Sequence, residues 1–340
     1  MTEQQPFFSI IIPVYNGLSN GLRTCLDSIW GQSLKEELYE VICVDDCSTD
    51  NTYKYLQEQQ QAHSNLRIIK NETNIRQGAS RNKGVRIAKG KYILFIDSDD
   101  YFHENSIAKI YDILRDSDLE VLVSDSAYQF KGHPHNNLQL NLPYREKTDG
   151  ERFVQENGWA IAPWRLCFNK EFYERNGISF VEGTRVEDVD WGVRMMYHVK
   201  KIQYQPTLLV HYIKGESGTS DTMYKNKITL IDNIEAANRV IEHALTLYAD
   251  SPNKQSAINL ADTYYNRTIS YLFGLFSSVK TKKEIINHVR YKSSQFRLVR
   301  FSTTHPTIFA IASNCLVPIF RIARYMRRRK TSKKFTSKKQ

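Results

Sequence analysis

Over the first 125 residues, short apolar runs alternate with apolar positions at helical spacing. Phe8-Ser9-Ile10-Ile11-Ile12 is a β-branched run stopped by Pro13, as expected of a strand buried on both faces. Leu18, Leu22, Cys25, Leu26 and Ile29 then recur at the spacing of one helical face. Tyr39–Val44 reads as a second strand, ended by Asp45-Asp46, with Ser48 or Asp50 placed to cap a helix running to about Gln60. Leu66–Ile69 predicts a third strand, Ala79–Ala88 a short helix closed by Gly90, and Tyr92–Ile96 a fourth strand. A helix over Ser106–Arg115 and a strand over Val121–Ser124 complete the series. Strands alternating with helices predict an α/β fold: a Rossmann-like, mostly parallel sheet flanked by helices.

The pattern changes after residue 125. Residues 126–149 are polar, include His133 and His135, and read as a loop or flap. Residues 150–220 mix short helices and strands, with an amphipathic helix from about Glu187 to Lys200. From Lys225 onward only helical stretches are predicted: Asn226–Leu247, Ala257–Val279, Lys283–Tyr291 and Thr307–Arg329.

In parallel sheets of this kind ligands bind beyond the carboxyl ends of the strands. Pro13–Asn16, Asp45–Ser48 and Asp97–Asp100 all fall at such ends. Tyr92–Asp100 is an apolar strand ending in three carboxylates within four positions. Clustered carboxylates resist ionisation unless a cation compensates them, and hard divalent ions take such oxygen ligands together with substrate phosphates. An acidic solvated turn capping the helix near Asn105 accounts for the same residues. Asp46 suits hydrogen bonds from a base imide or from ribose hydroxyls, or a helix N-cap. Arg81, just after Gly78-Ala79-Ser80, suits phosphate or base oxygens, or plain solvated surface. Glu187-Asp188 opens a helix, where acids are favoured by the backbone dipole, and an aspartate there could also act as a general base.

The 340 residues carry a net charge of +10, and residues 321–340 hold five Arg, five Lys and no acid. The other 320 residues are therefore neutral, with 37 basic and 37 acidic groups, and the basicity belongs to a tail. A composition of 41% hydrophobic residues fits a folded protein with a sizeable core. Five cysteines at no metal-ligand spacing predict free thiols in a reducing compartment. Met1–Phe8 has no signal-peptide pattern, and no run of 18 or more apolar residues predicts a spanning helix. Thr307–Phe320 is largely apolar and is followed directly by Arg321, Arg324, Arg327, Arg328, Arg329 and Lys330. That pattern predicts an in-plane anchor on an anionic membrane, with a core helix and a free basic end as the alternative. No aromatic stacking platform or helix-turn-helix accompanies the basic run, so nucleic acid is not expected as a partner.

Taken in order, four segments resemble the family 2 glycosyltransferases of the GT-A fold. They are Ser9–Asn16, Val44–Thr52, Ala79–Gly84 with Asp97–Asp100, and Glu187–Trp191. Pro163–Lys170 through Phe180–Gly183 also looks like the family's stretch ahead of its Glu-Asp pair. The resemblance covers roughly residues 7–220. It implies residues 1–125 as the nucleotide-sugar-binding half of a GT-A domain and 126–222 as the acceptor-binding half. A helical region over 223–305, and an amphipathic helix with a polybasic tail over 306–340, would follow. Pro13, Tyr15 and Asp46 would line the nucleoside pocket, with Arg81 nearby. Asp97 would face the ribose and diphosphate, Asp99 would bind Mn²⁺ or Mg²⁺, and Asp188 would be the base of an inverting displacement. Trp164, Glu187 and His211 are candidate acceptor or metal contacts. The implied activity is hexosyl or N-acetylhexosaminyl transfer from a nucleotide-sugar donor, expected to be UDP-linked, to a glycan or lipid-linked acceptor in surface polysaccharide synthesis. The expected location is cytoplasmic, peripheral on the inner face of the plasma membrane. Cys47 departs from the family, standing where Gly is usual, and the Gln-x-x-Arg-Trp motif of processive synthases is missing. An Asp-dependent phosphatase would account for Asp97 and Asp99 but leave Asp46, Arg81 and Asp188 without work. An inactive membrane-held scaffold is the non-enzymatic alternative.

Overall fold

The computed structural model describes residues 5–130, 142–159, 162–214, 226–275, 278–291 and 297–313. The chain divides into two compact units, one comprising Met1–Gly218 with Leu247–Asn253 and the other Thr219–Thr246 with Lys254–Gln340.

The first unit is built on an eight-stranded sheet. Its strands are β1 (Phe8–Val14), β2 (Tyr39–Asp45), β3 (Leu66–Lys70), β4 (Tyr92–Phe95), β5 (Tyr101–Phe102), β6 (Val121–Phe130), β7 (Leu166–Asn169) and β8 (Ile202–Lys214), in the order β3-β2-β1-β4-β7-β6-β8-β5. The helices are α1 (Leu22–Trp30), α2 (Thr52–Ala62), α3 (Arg76–Ile87), α4 (Ser106–Leu114), α5 (Gly150–Asn157), α6 (Lys170–Arg175) and α7 (Asp188–His198). Every residue of β1 and β2 is buried. Side chains alternate, so Ile10 and Ile12 enter a core with α1 and α4, while Ile11 faces the opposite core with Val85 and Trp191.

The sheet is mixed. β1, β2, β3 and β4 are parallel to their neighbours, as is β6 to β8, but β7 runs antiparallel between β4 and β6, and β5 antiparallel to β8. The strand expected over Val121–Ser124 continues to Phe130, across residues read above as the start of a flap. Pairing with β8 shifts register at Ser124/Asp125 and Asp125/Ser126, which breaks the alternation a sequence reading relies on. His133 and His135 lie outside the described residues.

β1 continues through Pro13, where a stop was expected. Ile11 O accepts from Ile96 N on the β4 side, and Pro13, two residues on, faces that same side after β4 has ended at Phe95. Its missing N–H therefore costs no ladder bond. The order reverses direction at β1, with β2 and β3 on one side and β4 on the other, so a crevice lies beyond these strand ends.

Long-range partners override local capping at α4. Asn105 takes the N-cap position in a left-handed conformation, φ +55°, without a side-chain cap bond. The amide of Ile107 is satisfied instead by Gln32 Oε1 at 3.0 Å.

In the second unit, α8 (Lys227–Thr246), α9 (Lys254–Leu275), α10 (Val279–Asn287) and α11 (Arg297–Thr304) are described. Leu230, Ile234, Val240, Tyr265, Ile269 and Ile285 are buried within it, and Tyr265 OH donates to Asn238 Oδ1 at 2.5 Å. α11 was not expected from Arg297-Leu-Val-Arg-Phe-Ser-Thr-Thr304, whose β-branched and hydroxyl residues are weak helix formers. Its Ser302, Thr303 and Thr304 hydroxyls bond back to carbonyls of Val299 and Arg300 in the preceding turn. The helix expected over Thr307–Arg329 is described only to residue 313, and the basic tail lies outside the described residues.

Candidate active site

The turns after β1 and β2 are tied to each other. Asn16 N donates to Ser48 Oγ at 2.9 Å, and Thr49 N donates to Asn16 Oδ1 at 2.8 Å. Asn16 and Cys47 both sit in the left-handed region, at φ +49° and +63°. This is why a glycine suits the position that Cys47 holds. Pro13 is buried, and Tyr15 projects from this turn with 47% of its surface exposed.

Asp46 is buried and surrounded by donors. Its carboxylate accepts from Asn71 Nδ2 at 2.8 Å, Ile75 N at 2.8 Å and Arg76 N at 2.7 Å. It thereby holds the entry to α3, where Arg76 has φ +72°. The cap of α2 does not involve Asp46, since Asp50 Oδ1 accepts from Thr52 N at 2.9 Å.

Arg81 joins two distant acids. Only 2% of it is exposed, and its Nη2 donates to Asp97 Oδ1 at 2.6 Å while Nη1 donates to Glu187 Oε1 at 2.7 Å. Gln77 Nε2 reaches the same Glu187 oxygen at 2.5 Å. Burial opposes the arginine's charge, but Asp97 and Glu187 outweigh it and hold the guanidinium charged. Gly78 permits this approach of α3, because a Cβ there would stand 3.0 Å from Glu187 Cβ. Asn82 locks the same helix to the segment before α7, exchanging 2.9 Å bonds with the Phe180 backbone.

Burial pushes the Glu187 carboxyl up to about 7 against the opposing pull of Arg81, with Asp188 adding to the rise. The half-buried Asp188 is likewise raised by burial, opposed by Arg81 and reinforced by Asp97 and Asp190. The structure thus brings Arg81, Asp97, Glu187 and Asp188 into one electrostatic cluster. Asp99 is exposed, yet the surrounding protein and the Asp97 charge push its carboxyl up to about 6. Burial and the charges of Asp97 and Asp99 raise Asp100, whose Oδ1 accepts from Ile213 N at 2.7 Å and whose Oδ2 has no partner among the described residues.

These hard oxygen donors, short of positive charge at Asp99 and Asp100, fit a divalent cation whose remaining ligands come from substrate phosphates. Among the described residues no group of three or more His, Cys, Asp or Glu is arranged as a complete metal site.

His211 lies opposite Tyr101 in the β5–β8 pair, with the two rings stacked at 4.6 Å. Tyr101 OH donates to Gln129 Oε1 at 2.9 Å, which leaves the Gln129 amide nitrogen facing His211 Nδ1 at 3.2 Å. His211 Nε2 then donates to His103 Nδ1 at 3.0 Å, so both ring nitrogens are engaged. Trp164, in a 3-10 turn over Pro163–Arg165, stacks on Tyr212 at 5.4 Å. Gln77, Asn82 and Asp100 add to the cluster without having been singled out individually from sequence. Gln77, four residues before Arg81, shares its helical face, a spacing that could have drawn attention to it.

The family description "Glycosyl transferase family 2" matches residues 9–177. The chain belongs to family 2 of the glycosyltransferases. Against the poly(ribitol-phosphate) beta-glucosyltransferase of Bacillus spizizenii this glycosyltransferase is 29% identical over 212 residues, covering 62% of this chain and 32% of that protein. It therefore spans about a third of that relative's length. It is 22% identical over 268 residues to the poly(ribitol-phosphate) beta-N-acetylglucosaminyltransferase TarP of Staphylococcus aureus, covering 77% of this chain and 79% of that one. Its fold matches the crystal structure of S. aureus TarS 1–349 in complex with UDP-GlcNAc, with a TM-score of 0.66, 18% identity and coverage of 93% and 92% of the two chains. The glycosyltransferase is thus a transferase enzyme of GT-A fold, and family membership sets aside the phosphatase and scaffold alternatives. Among the described residues no helix is long and apolar enough to cross a membrane.

Proposed function

We propose that this glycosyltransferase moves a hexosyl or N-acetylhexosaminyl group, with inversion, from a UDP-sugar to a hydroxyl of a surface glycan. The observation that carries this reading is the junction at Arg81, which links the end of β4 to the start of α7 through Asp97 and Glu187. Asp188 follows directly, in the field of both Arg81 and Asp97. A base is therefore held beside the group that would face the donor.

In this reading Asp188 accepts the acceptor hydroxyl's proton as that oxygen bonds to the anomeric carbon. The bond from the anomeric carbon to the diphosphate breaks with its electron pair leaving as UDP. The elevated Asp188 pKa makes its carboxylate a stronger base than a solvated aspartate. Asp99 would hold Mn²⁺ or Mg²⁺, which would supply charge neutralisation to the diphosphate as it departs, and Asp97 would face the ribose and diphosphate. Asp46, Pro13 and Tyr15 form the nucleoside end, where Asp46 also holds the loop up to Arg76 in place. Names of two relatives support poly(ribitol phosphate), or a similar phosphate-linked polymer, as the acceptor. The tail and the helix ahead of it would keep the enzyme on an anionic membrane surface.

A panel of nucleotide sugars assayed with Mn²⁺ tests the reading. A UDP-sugar should raise the melting temperature and be consumed in a metal-dependent way. Stabilisation by none of the panel would refute the donor assignment.

A further inference from the structure

Arg165 is a buried arginine with no ion-pair partner among the described residues. Only 8% of its surface is exposed, and its Nε and Nη2 rest on Ser126 Oγ at 3.2 and 3.0 Å, with Nη2 also 3.2 Å from Tyr128 OH. The guanidinium lies 4.9 Å from the Trp164 ring centre. Among the described residues no carboxylate pairs with it. Asp125, the nearby acid, instead accepts from Tyr204 OH at 2.8 Å. Nη1 has no hydrogen bond among the described residues and is not sealed from solvent. The other buried arginine among the described residues of this unit, Arg81, is neutralised by two acids. Neutral hydroxyls orient a guanidinium without cancelling its charge, and an unpaired buried charge is costly unless something of opposite sign meets it.

Its position narrows what that could be. β7 pairs Cys167 with Leu94, and extending this antiparallel register puts Arg165 level with Ile96, one residue before Asp97. Arg165 therefore opens on the same end of the sheet as the candidate active site. Its side chain reaches away from that point, onto β6, which is two strands from β4 and so about 10 Å across the sheet. Beside it the buried Trp164 stacks on the partly buried Tyr212, with Tyr128 edge-on to both, so that these rings wall the guanidinium on one side. An aromatic wall next to a guanidinium that no carboxylate pairs suits a carbon-rich polyol or sugar that carries a phosphate.

We propose that Arg165, held by Ser126 and Tyr128 beside the Trp164–Tyr212 wall, is a receptor for a phosphodiester of the acceptor polymer. The proposal rests on the reading of the enzyme as a transferase acting on a phosphate-linked glycan, and it makes Arg165 a residue that determines acceptor choice.

Steady-state kinetics of the full chain with UDP-sugar, Mn²⁺ and a poly(ribitol phosphate) oligomer test it. Arg165→Gln should raise the acceptor KM at least tenfold, while kcat and the calorimetric affinity for UDP stay within about twofold. Arg165→Lys, which keeps the charge but loses the fork geometry, should fall between. Tyr128→Phe, which removes one of the hydroxyls that aim the guanidinium, should raise KM less and leave the melting temperature nearly unchanged. An equal fall in UDP affinity would assign the charge to the donor diphosphate and overturn the proposal, as would an unchanged acceptor KM in a folded Arg165→Gln protein. Dimethyl phosphate titrated into the UDP-bound enzyme, read from the arginine side-chain ¹⁵N–¹H signals, separates the receptor from the polymer. A saturable shift that is absent in Arg165→Lys upholds the receptor even where poly(ribitol phosphate) is not glycosylated. No shift in the wild-type chain overturns it.

Discussion

At the end of β2, the Asp46 carboxylate accepts from two backbone amides and the Asn71 side chain, all within 2.8 Å. At the end of β4, Asp97, Asp99 and Asp100 crowd together with Arg81 as their one close cation among the described residues, and Arg81 is shared with Glu187. Both strands are apolar runs closed by consecutive aspartates, yet the physical outcome differs. Dipoles that are already in place compensate Asp46, which therefore organises a loop, while Asp45 Oδ1 beside it is buried without a partner among the described residues. The second cluster remains short of positive charge, with Asp99 and Asp100 both raised, a state that a bound cation would relieve. An acidic strand end becomes a reactive site when its neutralisation is left incomplete.

Substitutions can break this contrast. The largest expected effect is at the base: Asp188→Asn should lower kcat by about 10²–10⁴, the usual worth of a general base, with UDP affinity retained. Measurable turnover near the wild-type rate would remove Asp188 from the role. Arg81→Gln should destabilise the fold by about 3–5 kcal/mol, because Glu187 and Asp97 would lose their shared counter-charge. Urea unfolding reads this directly, and a midpoint unchanged from wild type would show that the two acids need no cation.

Asp46→Asn should cost about 1–3 kcal/mol, since the amide presents one fewer acceptor to three donors. A loss as large as that of Arg81→Gln would erase the distinction drawn between the two clusters. The pH response sharpens it further. Asp99 must shed its proton to bind a cation, and its pKa is pushed up to about 6. Mn²⁺ affinity should hold above that value and fall by about tenfold for each pH unit below it. Asp99→Asn should flatten this dependence, and calorimetric titration at several pH values distinguishes the two curves. The smallest change expected is a gain: Cys47→Gly, at φ +63°, should stabilise by about 1 kcal/mol through relief of left-handed strain. A lower thermal midpoint would mean that the Cys47 Sγ bond to Glu72 O outweighs the strain.

Much of the structure of residues 1–125 was legible because it is written locally. Short apolar runs marked β1 to β4, and acids at or just beyond the ends of β2 and β4 marked the ends where chemistry was expected to gather. The longer reach of β6 was not legible, since two register shifts and a polar face hide its alternation. Nor was the insertion of β7 between β4 and β6, because strand order depends on which surfaces meet and not on spacing along the chain.

The sequence by itself determined the alternation of elements, the family motifs and the placement of Asp46, Asp97, Asp99 and Asp188 at element ends. Only the tertiary structure decided how each charge is answered. Arg81 meets Glu187 across 106 positions, Asp46 is met by backbone amides 29 and 30 residues away, and Arg165 meets hydroxyls but no acid. Residue type and period are local properties, whereas the energy of a buried charge is set by whatever the fold carries to within a few ångströms of it.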